Sequence, residues 1–384
     1  MVDQASRSDR GRFPLGLLGA IVLIVGVEQT IAQQKLGSLG GSQWSYEIAR
    51  QVASSRQGGY DVVCFGDSLL KQGLAPTVME AKAGLRAYNF AVAGGQAPGN
   101  YFLLRRALES GMKPRAVVVE YFPNLMLTDP DFNVENWPFL ASPGDCLEMA
   151  QLTRDPNFLA SLALRELFPS VRCRNSIRAN ILAALDGSFP TFAREINSAR
   201  RNWEVNRGAE IIASRPGRIE DVESWMHGYF PRFDCSRTNR AYIKKLLELA
   251  RSHEIPVFWL LPPYKPELQA RCEQSGFDQA HETFIKGLQA RYPGLYVIDG
   301  RRAGYDPDVF SDLHHLGREG AAIFSSEVAF LLLRHREGPA STSRWLELPR
   351  YRSLVAATTP IEDMDESRRR VHKLASQNDA TLKR

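Results

Sequence analysis

The sequence has few cysteines, little excess charge and none of the common glycine-rich nucleotide motifs. The 5 cysteines are scattered without a CxxC pair, which argues against a zinc ribbon and a thioredoxin-type redox site. A net charge of +5 over 384 residues is mild and no basic-aromatic motif accompanies it, so we expect no nucleic-acid partner. No Gly-x-Gly-x-x-Gly follows a strand pattern and no Gly-x-Ser-x-Gly occurs. Neither a dinucleotide site nor an α/β-hydrolase elbow is therefore supported, and we expect no cofactor.

The sequence also lacks a long hydrophobic run. The amino-terminal run, residues 13–27, has 15 residues, whereas a comfortable membrane span needs ~20. Arg7, Arg10 and Arg12 precede it, and Thr30-Ile31-Ala32 is an imperfect cleavage site. This pattern predicts a signal anchor in residues 1–32, entering the membrane through residues 13–32, with a cleaved signal peptide as the alternative.

The arginines upstream of the apolar run predict the side of the membrane on which the body lies. They favour a cytoplasmic amino terminus, so we expect a single-pass protein of the cytoplasmic membrane with an extracytoplasmic body, or a secreted or periplasmic protein after cleavage. In an oxidising compartment four cysteines could form two disulfides, with the pairing left open. They are Cys146, Cys173, Cys235 and Cys272, while Cys64 lies in a predicted core strand and is expected to be a buried thiol.

One stretch organises the chain: Val62-Val63-Cys64-Phe65-Gly66-Asp67-Ser68-Leu69. Its apolar residues stop at Gly-Asp-Ser and a helix-compatible run follows, which predicts a buried strand, a tight turn and a helix start. A serine there lies at the carboxyl end of a strand, where open α/β sheets bind ligands, beside unpaired helix N–H groups. Ser68 is therefore a candidate nucleophile with part of an oxyanion hole beside it. The alternative is that Asp67 or Ser68 only caps the helix.

Strand and helix patterns alternate along the chain, which predicts βαβ units and an α/β fold with a parallel sheet of about five strands. The predicted strands are residues 61–65, 86–92, 115–121, 255–261 and 295–298. We expect a spacer with one short helix in residues 33–60, the α/β domain in residues 61–338, and a polar, flexible tail in residues 339–384. Within the domain the strand rhythm disappears over about residues 125–237, which predicts a helical insertion that serves as a lid or substrate platform.

Asp312-Leu313-His314-His315 lies between the fifth predicted strand and the last helix. A serine nucleophile needs a base and a group that orients the base, and a spacing of three lets the Asp312 carboxylate hold the His315 imidazole. Since parallel strands end at one sheet edge, His315 can meet Ser68 despite their separation in sequence. A metal held by Asp312 and the two histidines is the alternative, but no other histidine or cysteine cluster supplies a further ligand.

Candidate donors for a developing oxyanion follow two other strands. Gly94 follows the second strand and Asn124 the third. A glycine N–H can approach an oxyanion closely, and an asparagine amide can donate a second hydrogen bond, in addition to the Ser68 N–H. The alternatives are a simple turn at Gly94-Gly95 and a helix cap at Asn124.

These pieces together resemble the SGNH/GDSL hydrolase superfamily. Phe65-Gly66-Asp67-Ser68-Leu69 is similar to block I, Tyr88-Asn89-Phe90-Ala91-Val92-Ala93-Gly94 to block II, Val117-Val118-Val119-Glu120-Tyr121-Phe122-Pro123-Asn124 to block III, and Asp312-Leu313-His314-His315 to the final block. The resemblance covers about residues 60–124 and 240–335. It implies a three-layer α/β/α, flavodoxin-like sandwich with Ser68 as nucleophile, His315 as base and Asp312 as its partner. It also implies an oxyanion hole made by Ser68, Gly94 and Asn124.

The sequence departs from the family pattern in three places. Pro123 and Leu125 flank Asn124 where the family usually has glycine and aspartate, and Gly73 follows Gly-Asp-Ser-Leu one residue later than is common. His314 beside His315 leaves open which imidazole acts.

Three functions remain open from the sequence. The first is hydrolysis of a carboxylic ester through an acyl-Ser68 intermediate. The second is O-acyl transfer to an envelope or extracellular polysaccharide, since the signal anchor with this fold also resembles membrane-attached SGNH proteins that move acyl groups on such glycans. The third is an inactive, membrane-tethered glycan-binding or scaffold protein, which the altered block III leaves open. The expected substrates are thus an acyl ester or an acylated glycan.

Overall fold

The computed structural model describes residues 15–33, 43–55, 59–230, 232–338, 343–352 and 361–382. A single parallel sheet of six strands, in the order β2-β1-β3-β4-β5-β6, confirms the predicted α/β class with one strand more than expected. The strands are β1 Val62–Phe65, β2 Ala87–Asn89, β3 Ala116–Glu120, β4 Val257–Leu261, β5 Leu295–Asp299 and β6 Trp345–Glu347.

Helices connect the strands and fill the expected insertion. Before β3 these are α1 Leu15–Gln33, α2 Gln43–Ala53, α3 Ser68–Gly73, α4 Pro76–Ala83 and α5 Ala97–Glu109. The insertion contains α6 Pro123–Leu127, α7 Trp137–Leu140, α8 Pro143–Thr153, α9 Pro156–Leu167, α10 Pro169–Arg172, α11 Arg174–Leu185, α12 Phe189–Val205 and α13 Val222–Tyr229, with a 3₁₀ turn at Pro130–Asn133. After it come α14 Arg237–Ser252, α15 Pro266–Gln274, α16 Phe277–Arg291, α17 Arg318–Glu337 and α18 Met364–Leu382, with a 3₁₀ turn at Pro307–Val309.

Strand β1 shows why the strands are continuously apolar. All four of its residues are buried, because its side chains alternate between two cores. Val63 and Phe65 join the core that contains residues of α2, α5 and α14, whereas Val62 and Cys64 join the core of α4 and α17. A strand buried on both faces needs an unbroken hydrophobic run, and such runs are typical of parallel sheets.

The register of the central strands aligns their carboxyl ends. Cys64 pairs with Asn89 of β2 and with Val118 of β3, and Phe65 pairs with Val119. The residues that follow these strands therefore emerge at one edge of the sheet. The segment after β1 carries Ser68 at that edge.

The carboxyl-terminal segment differs from the expected flexible tail. Residues 345–347 form β6, parallel to β5 in the register Val297↔Trp345, and α18 packs against α12. Asn202 of α12 holds this segment through a hydrogen bond of 2.8 Å from its Nδ2 to the Glu362 carbonyl. The sequence hides this docking, because much of it is made by polar groups and β6 is only 3 residues long.

The predicted spacer and disulfides also differ from the structure. Helix α2 of the expected 33–60 spacer buries Trp44 and Tyr46 in the main core, while residues 34–42 and 56–58 lie outside the described residues.

Cys146, Cys235 and Cys272 are free, buried thiols. Two disulfides among the four candidate cysteines are therefore not formed.

Helix α1 is long and apolar enough to cross a membrane or to act as a signal sequence. Its window Gly16–Gln33 has a mean hydropathy of 1.6 and is not buried against the protein. The arginines that set the predicted orientation belong to residues 1–14, which lie outside the described residues.

Candidate active site

Ser68 lies on the tight turn between β1 and α3. Asp67 is the N-cap residue of α3, and its Oδ1 accepts a hydrogen bond of 2.9 Å from the Leu69 N–H. The capping function thus falls to Asp67, and the Ser68 hydroxyl is left for another partner. Within the segment 62–70, Ser68 alone is not fully buried.

Ser68, His315 and Asp312 form a continuous chain of hydrogen bonds. His315 Nε2 lies 2.8 Å from Ser68 Oγ, and His315 Nδ1 lies 2.7 Å from Asp312 Oδ2. The other oxygen of Asp312 accepts the backbone N–H groups of His314 and His315 at 3.0 and 2.8 Å. Ser68 and His315 are 247 residues apart in sequence, and the parallel sheet brings them together.

Electrostatics keep Asp312 ionised. Burial by itself would raise the pKa of Asp312, but the hydrogen bond and the charge of His315 outweigh it and hold that pKa below its ordinary value. A carboxylate at this position fixes the proton of the imidazole on Nδ1 and leaves Nε2 as the acceptor that faces Ser68. This is the orientation that a general base beside a serine requires.

His314 has a different environment from its neighbour. It stacks on Phe122 with ring centroids 5.1 Å apart and contacts Trp225 of α13 at 4.5 Å. Burial, followed by the charge of His315, lowers the pKa of His314 well below its ordinary value. A buried, neutral imidazole among aromatic rings is a packing group, and His315 is the histidine that contacts Ser68.

Two buried carboxyl groups lie directly beneath Ser68. Asp67 Oδ2 accepts the Phe122 N–H at 2.7 Å, and Glu120 Oε2 accepts the Asp67 N–H at 3.3 Å. Burial raises the pKa of Asp67 to about 6, and burial and the Asp67 charge raise that of Glu120 well above its ordinary value. Because Asp67 accepts two backbone N–H groups and Glu120 Oε1 has no hydrogen-bond partner, the shared proton belongs on Glu120.

The glycine loop after β2 lies against the Ser68 turn. A Cβ on Gly95 would lie 2.3 Å from the Gly66 carbonyl oxygen, so any larger residue would push the two loops apart. Gly94 has φ +69, which favours glycine, and its carbonyl accepts a 2.6 Å hydrogen bond from Asn133 Nδ2. The loop is thus anchored beside the site, and donation from the Gly94 N–H to an oxyanion stays a prediction.

Asn124 lies in the first turn of α6, directly after β3, and is half-buried. Pro123 precedes it at the first helical position, where the fixed φ of proline suits a helix start. The structure thus brings Asn124 to the same sheet edge as Ser68. Its role as an oxyanion donor stays a prediction.

Asp312, His314 and His315 could also offer ligand atoms to a cation. Their carboxylate oxygens and ring nitrogens lie within 4.8 Å of one another. However, His315 Nδ1 and Asp312 Oδ2 are bonded to each other, and His315 Nε2 faces Ser68. A cation would have to replace these hydrogen bonds, and the three residues supply one protein ligand fewer than the four of a structural zinc site.

Sequence reasoning missed two features of the site. Glu120 sits in block III, but nothing in the sequence indicates that it shares a proton with Asp67. The aromatic wall, which we define as Phe122, Trp225 and Tyr229, was also missed, because Trp225 and Tyr229 come from the insertion. A buried acidic residue at the end of an otherwise apolar strand was the one available signal for Glu120.

Residues 55–323 match the model of a family described as a protein of unknown function (DUF1574), and the chain belongs to that family. No curated protein matches the chain.

Replacing Glu120 with glutamine tests the shared proton. Because both pKa values are raised, each carboxyl contributes its full stability below pH ~4 and loses that contribution as pH rises through its folded-state pKa, which is about 6 for Asp67 and well above the ordinary value for Glu120. A glutamine side chain keeps the shape but cannot ionise. The free energy of unfolding of wild type minus that of Glu120→Gln is therefore expected to fall between pH 4 and pH 7. We expect this fall, which favours the variant, to be about 1–3 kcal/mol.

Urea unfolding of the full chain in detergent measures this difference. Glu319→Gln, at an exposed position of α17, is the matched control and is expected to follow wild type at both pH values. Identical pH slopes for wild type and Glu120→Gln would contradict the assignment of the proton.

Proposed function

We propose that this protein is a serine ester hydrolase of the SGNH/GDSL type that works through an acyl-Ser68 intermediate. The observation that carries the proposal is the hydrogen-bonded chain from Ser68 Oγ through His315 to Asp312, with distances of 2.8 and 2.7 Å. A serine, an imidazole and a carboxylate in this arrangement form the apparatus of nucleophilic acyl transfer. Such intact geometry favours catalysis over a role in binding alone.

The reaction follows from these contacts. His315 Nε2 takes the Ser68 proton as Oγ attacks the ester carbonyl, and the negative charge develops on the carbonyl oxygen. Donors to that oxygen would be the N–H groups of Ser68 and Gly94 and the amide of Asn124. When the C–O bond breaks, His315 returns the proton to the leaving alcohol. Water then gives a proton to His315 and attacks the acyl-Ser68. As the bond between the acyl carbon and Oγ breaks, His315 returns that proton to Ser68 Oγ and the carboxylic acid leaves.

The finer architecture and the location belong to the same proposal. The order β2-β1-β3-β4-β5 and the two different helical cores on the faces of the sheet support a three-layer, flavodoxin-like sandwich, extended by β6. The apolar, unburied α1 supports a single membrane span. With arginines preceding it, the catalytic body would lie outside the cytoplasmic membrane.

Ser68→Ala tests the nucleophile. Removing the attacking oxygen while leaving the fold intact is expected to lower hydrolysis of a short-chain p-nitrophenyl ester by at least about a thousandfold. The control is Ser110→Ala, at the C-cap of α5, which should retain wild-type activity. Equal activity of Ser68→Ala and wild type would overturn the assignment. A wild-type chain that reacts with neither the ester nor a fluorophosphonate would favour the binding-only role.

A second function, O-acyl transfer to a glycan, is favoured by the aromatic wall beside the histidines. Trp225 and Tyr229 stack with ring centroids 4.7 Å apart, and Tyr229 is 43% exposed. Trp225 itself is half-buried. Stacked rings that are partly exposed next to a reactive centre present a flat apolar face, and the C–H face of a sugar ring packs well on such a surface. In transfer, a sugar hydroxyl replaces water. His315 takes the proton of that hydroxyl, and the sugar oxygen attacks the acyl-Ser68. As the bond to Oγ breaks, His315 returns the proton to Ser68 and the acylated sugar leaves.

Trp225→Ala separates transfer from hydrolysis. Loss of the indole removes the surface on which a sugar would stack, so the KM for a glycan acceptor is expected to rise about tenfold. Hydrolysis of a small ester, which does not need that surface, should change by less than about twofold. Trp225→Phe keeps a ring and is expected to restore most of the acceptor binding. Unchanged transfer in Trp225→Ala would exclude this surface as the acceptor site.

A further inference from the structure

Helix α9 is apolar on both of its sides. Phe158 and Leu162 are buried against the rest of the insertion. On the opposite side, Leu159, Leu164 and Leu167 are exposed, and Leu167 is 71% exposed. Arg165 and Glu166 lie between these two sides. The outer side of α9 therefore lacks the polar face expected of a helix in water.

Helix α11 adds to the same kind of surface. Ile181, Leu182 and Leu185 follow each other on one exposed face at its carboxyl end, and Leu185 is 79% exposed. We call the three exposed leucines of α9 together with these three residues the apolar platform. Isolated surface leucines are common, but six on two helices joined only by the four-residue α10 form an unusual concentration.

The apolar helix α1 leaves the body of the protein at this surface. Glu28, near the end of α1, accepts the Ser170 backbone N–H at 2.8 Å and the Ser170 hydroxyl, and thereby caps the first turn of α10. The continuous exposed run of α1, residues 16–27, is interrupted by this contact, and polar Gln29 and Thr30 follow it. Because a helix rises about 1.5 Å per residue, α10 lies at the depth where the apolar run ends.

The charges around α10 suit a phospholipid surface. Residues 154–178 contain five arginines and only two carboxylates, and no lysine. Arg174 and Arg178 are exposed on α11, one to two turns before Ile181 and on the same side of the helix. Basic residues flanking an apolar face are the pattern of helices that lie in the headgroup region and contact anionic lipids.

We propose that α9, α10 and α11 dock on the bilayer that α1 enters, with the apolar platform in the upper acyl region and the arginines at anionic phospholipid headgroups. The proposal rests on the membrane span proposed above for α1. The protein would then have two attachments, one through the bilayer and one on its surface, and the body could not rotate freely about α1. The sheet edge that carries Ser68 would therefore have a fixed orientation relative to the membrane.

Depth measurements on the full chain test the docking. Leu167→Cys and Leu185→Cys are made separately and labelled with an environment-sensitive maleimide dye, since the five native cysteines are buried. The matched control is Phe330→Cys, which replaces an exposed apolar residue of α17 away from the platform. Each protein is reconstituted into vesicles of phosphatidylcholine and phosphatidylglycerol that carry a spin-labelled lipid. Quenching of the dye at 167 and 185 is expected to exceed that at 330 by at least about threefold.

The outcomes separate this proposal from the one on which it rests. Chains that do not float with the vesicles would show that α1 is not a span, which would remove both proposals. Chains that float, but with equal quenching at 167, 185 and 330, would overturn the docking alone. Disulfide crosslinking of two copies of the Leu167→Cys variant without lipid quenching would overturn it in favour of a second copy on the platform. Omitting phosphatidylglycerol should weaken the quenching, and Arg174→Gln with Arg178→Gln should abolish that dependence.

Discussion

The Asp67 carboxylate is the contact on which the site depends. One oxygen accepts the Leu69 N–H at the start of α3, and the other accepts the Phe122 N–H just beyond β3. The turn after β1 is thereby tied to the segment after β3, with Ser68 held between them. Asp67 is fully buried, and such a charge is costly unless it is well hydrogen-bonded. The two backbone N–H groups meet that requirement. The direction of the Ser68 hydroxyl is therefore fixed by the core and not by a surface loop.

The sequence predicts the sheet and the meeting of Ser68, His315 and Asp312, because each leaves a local pattern. The β1 run and the Gly-Asp-Ser turn define a strand end, and Asp312 lies three residues before His315. The parallel topology then suffices to bring these ends together. The choice between His314 and His315 could not be made in this way, since it depends on which ring the insertion covers. The coupling between Asp67 and Glu120 could not be predicted either, because it depends on the burial of both carboxyl groups in the folded protein.

Other parts of the fold were hidden by their composition. Strand β6 is too short to show periodicity, and α18 docks through polar groups such as the Asn202–Glu362 contact. The insertion contains residues that favour helix amino termini, such as the N-cap residues Ser142, Asp155 and Asp221, but nothing in its sequence shows where each helix packs. Two of its helices have different surroundings: α13 lies over the histidines, whereas α10 contacts α1. One insertion could therefore shape the substrate site and also orient it toward the membrane.

The central claim is that Ser68 carries the acyl group between donor and acceptor. The most direct measurement is mass spectrometry of peptides from the full chain, quenched in acid during turnover of an activated acyl ester. The account predicts one added acyl group on the peptide that contains Ser68, and its disappearance when His315 is replaced and Ser68 is kept. Turnover that proceeds with this peptide unmodified, or with the acyl group on another residue, would contradict it.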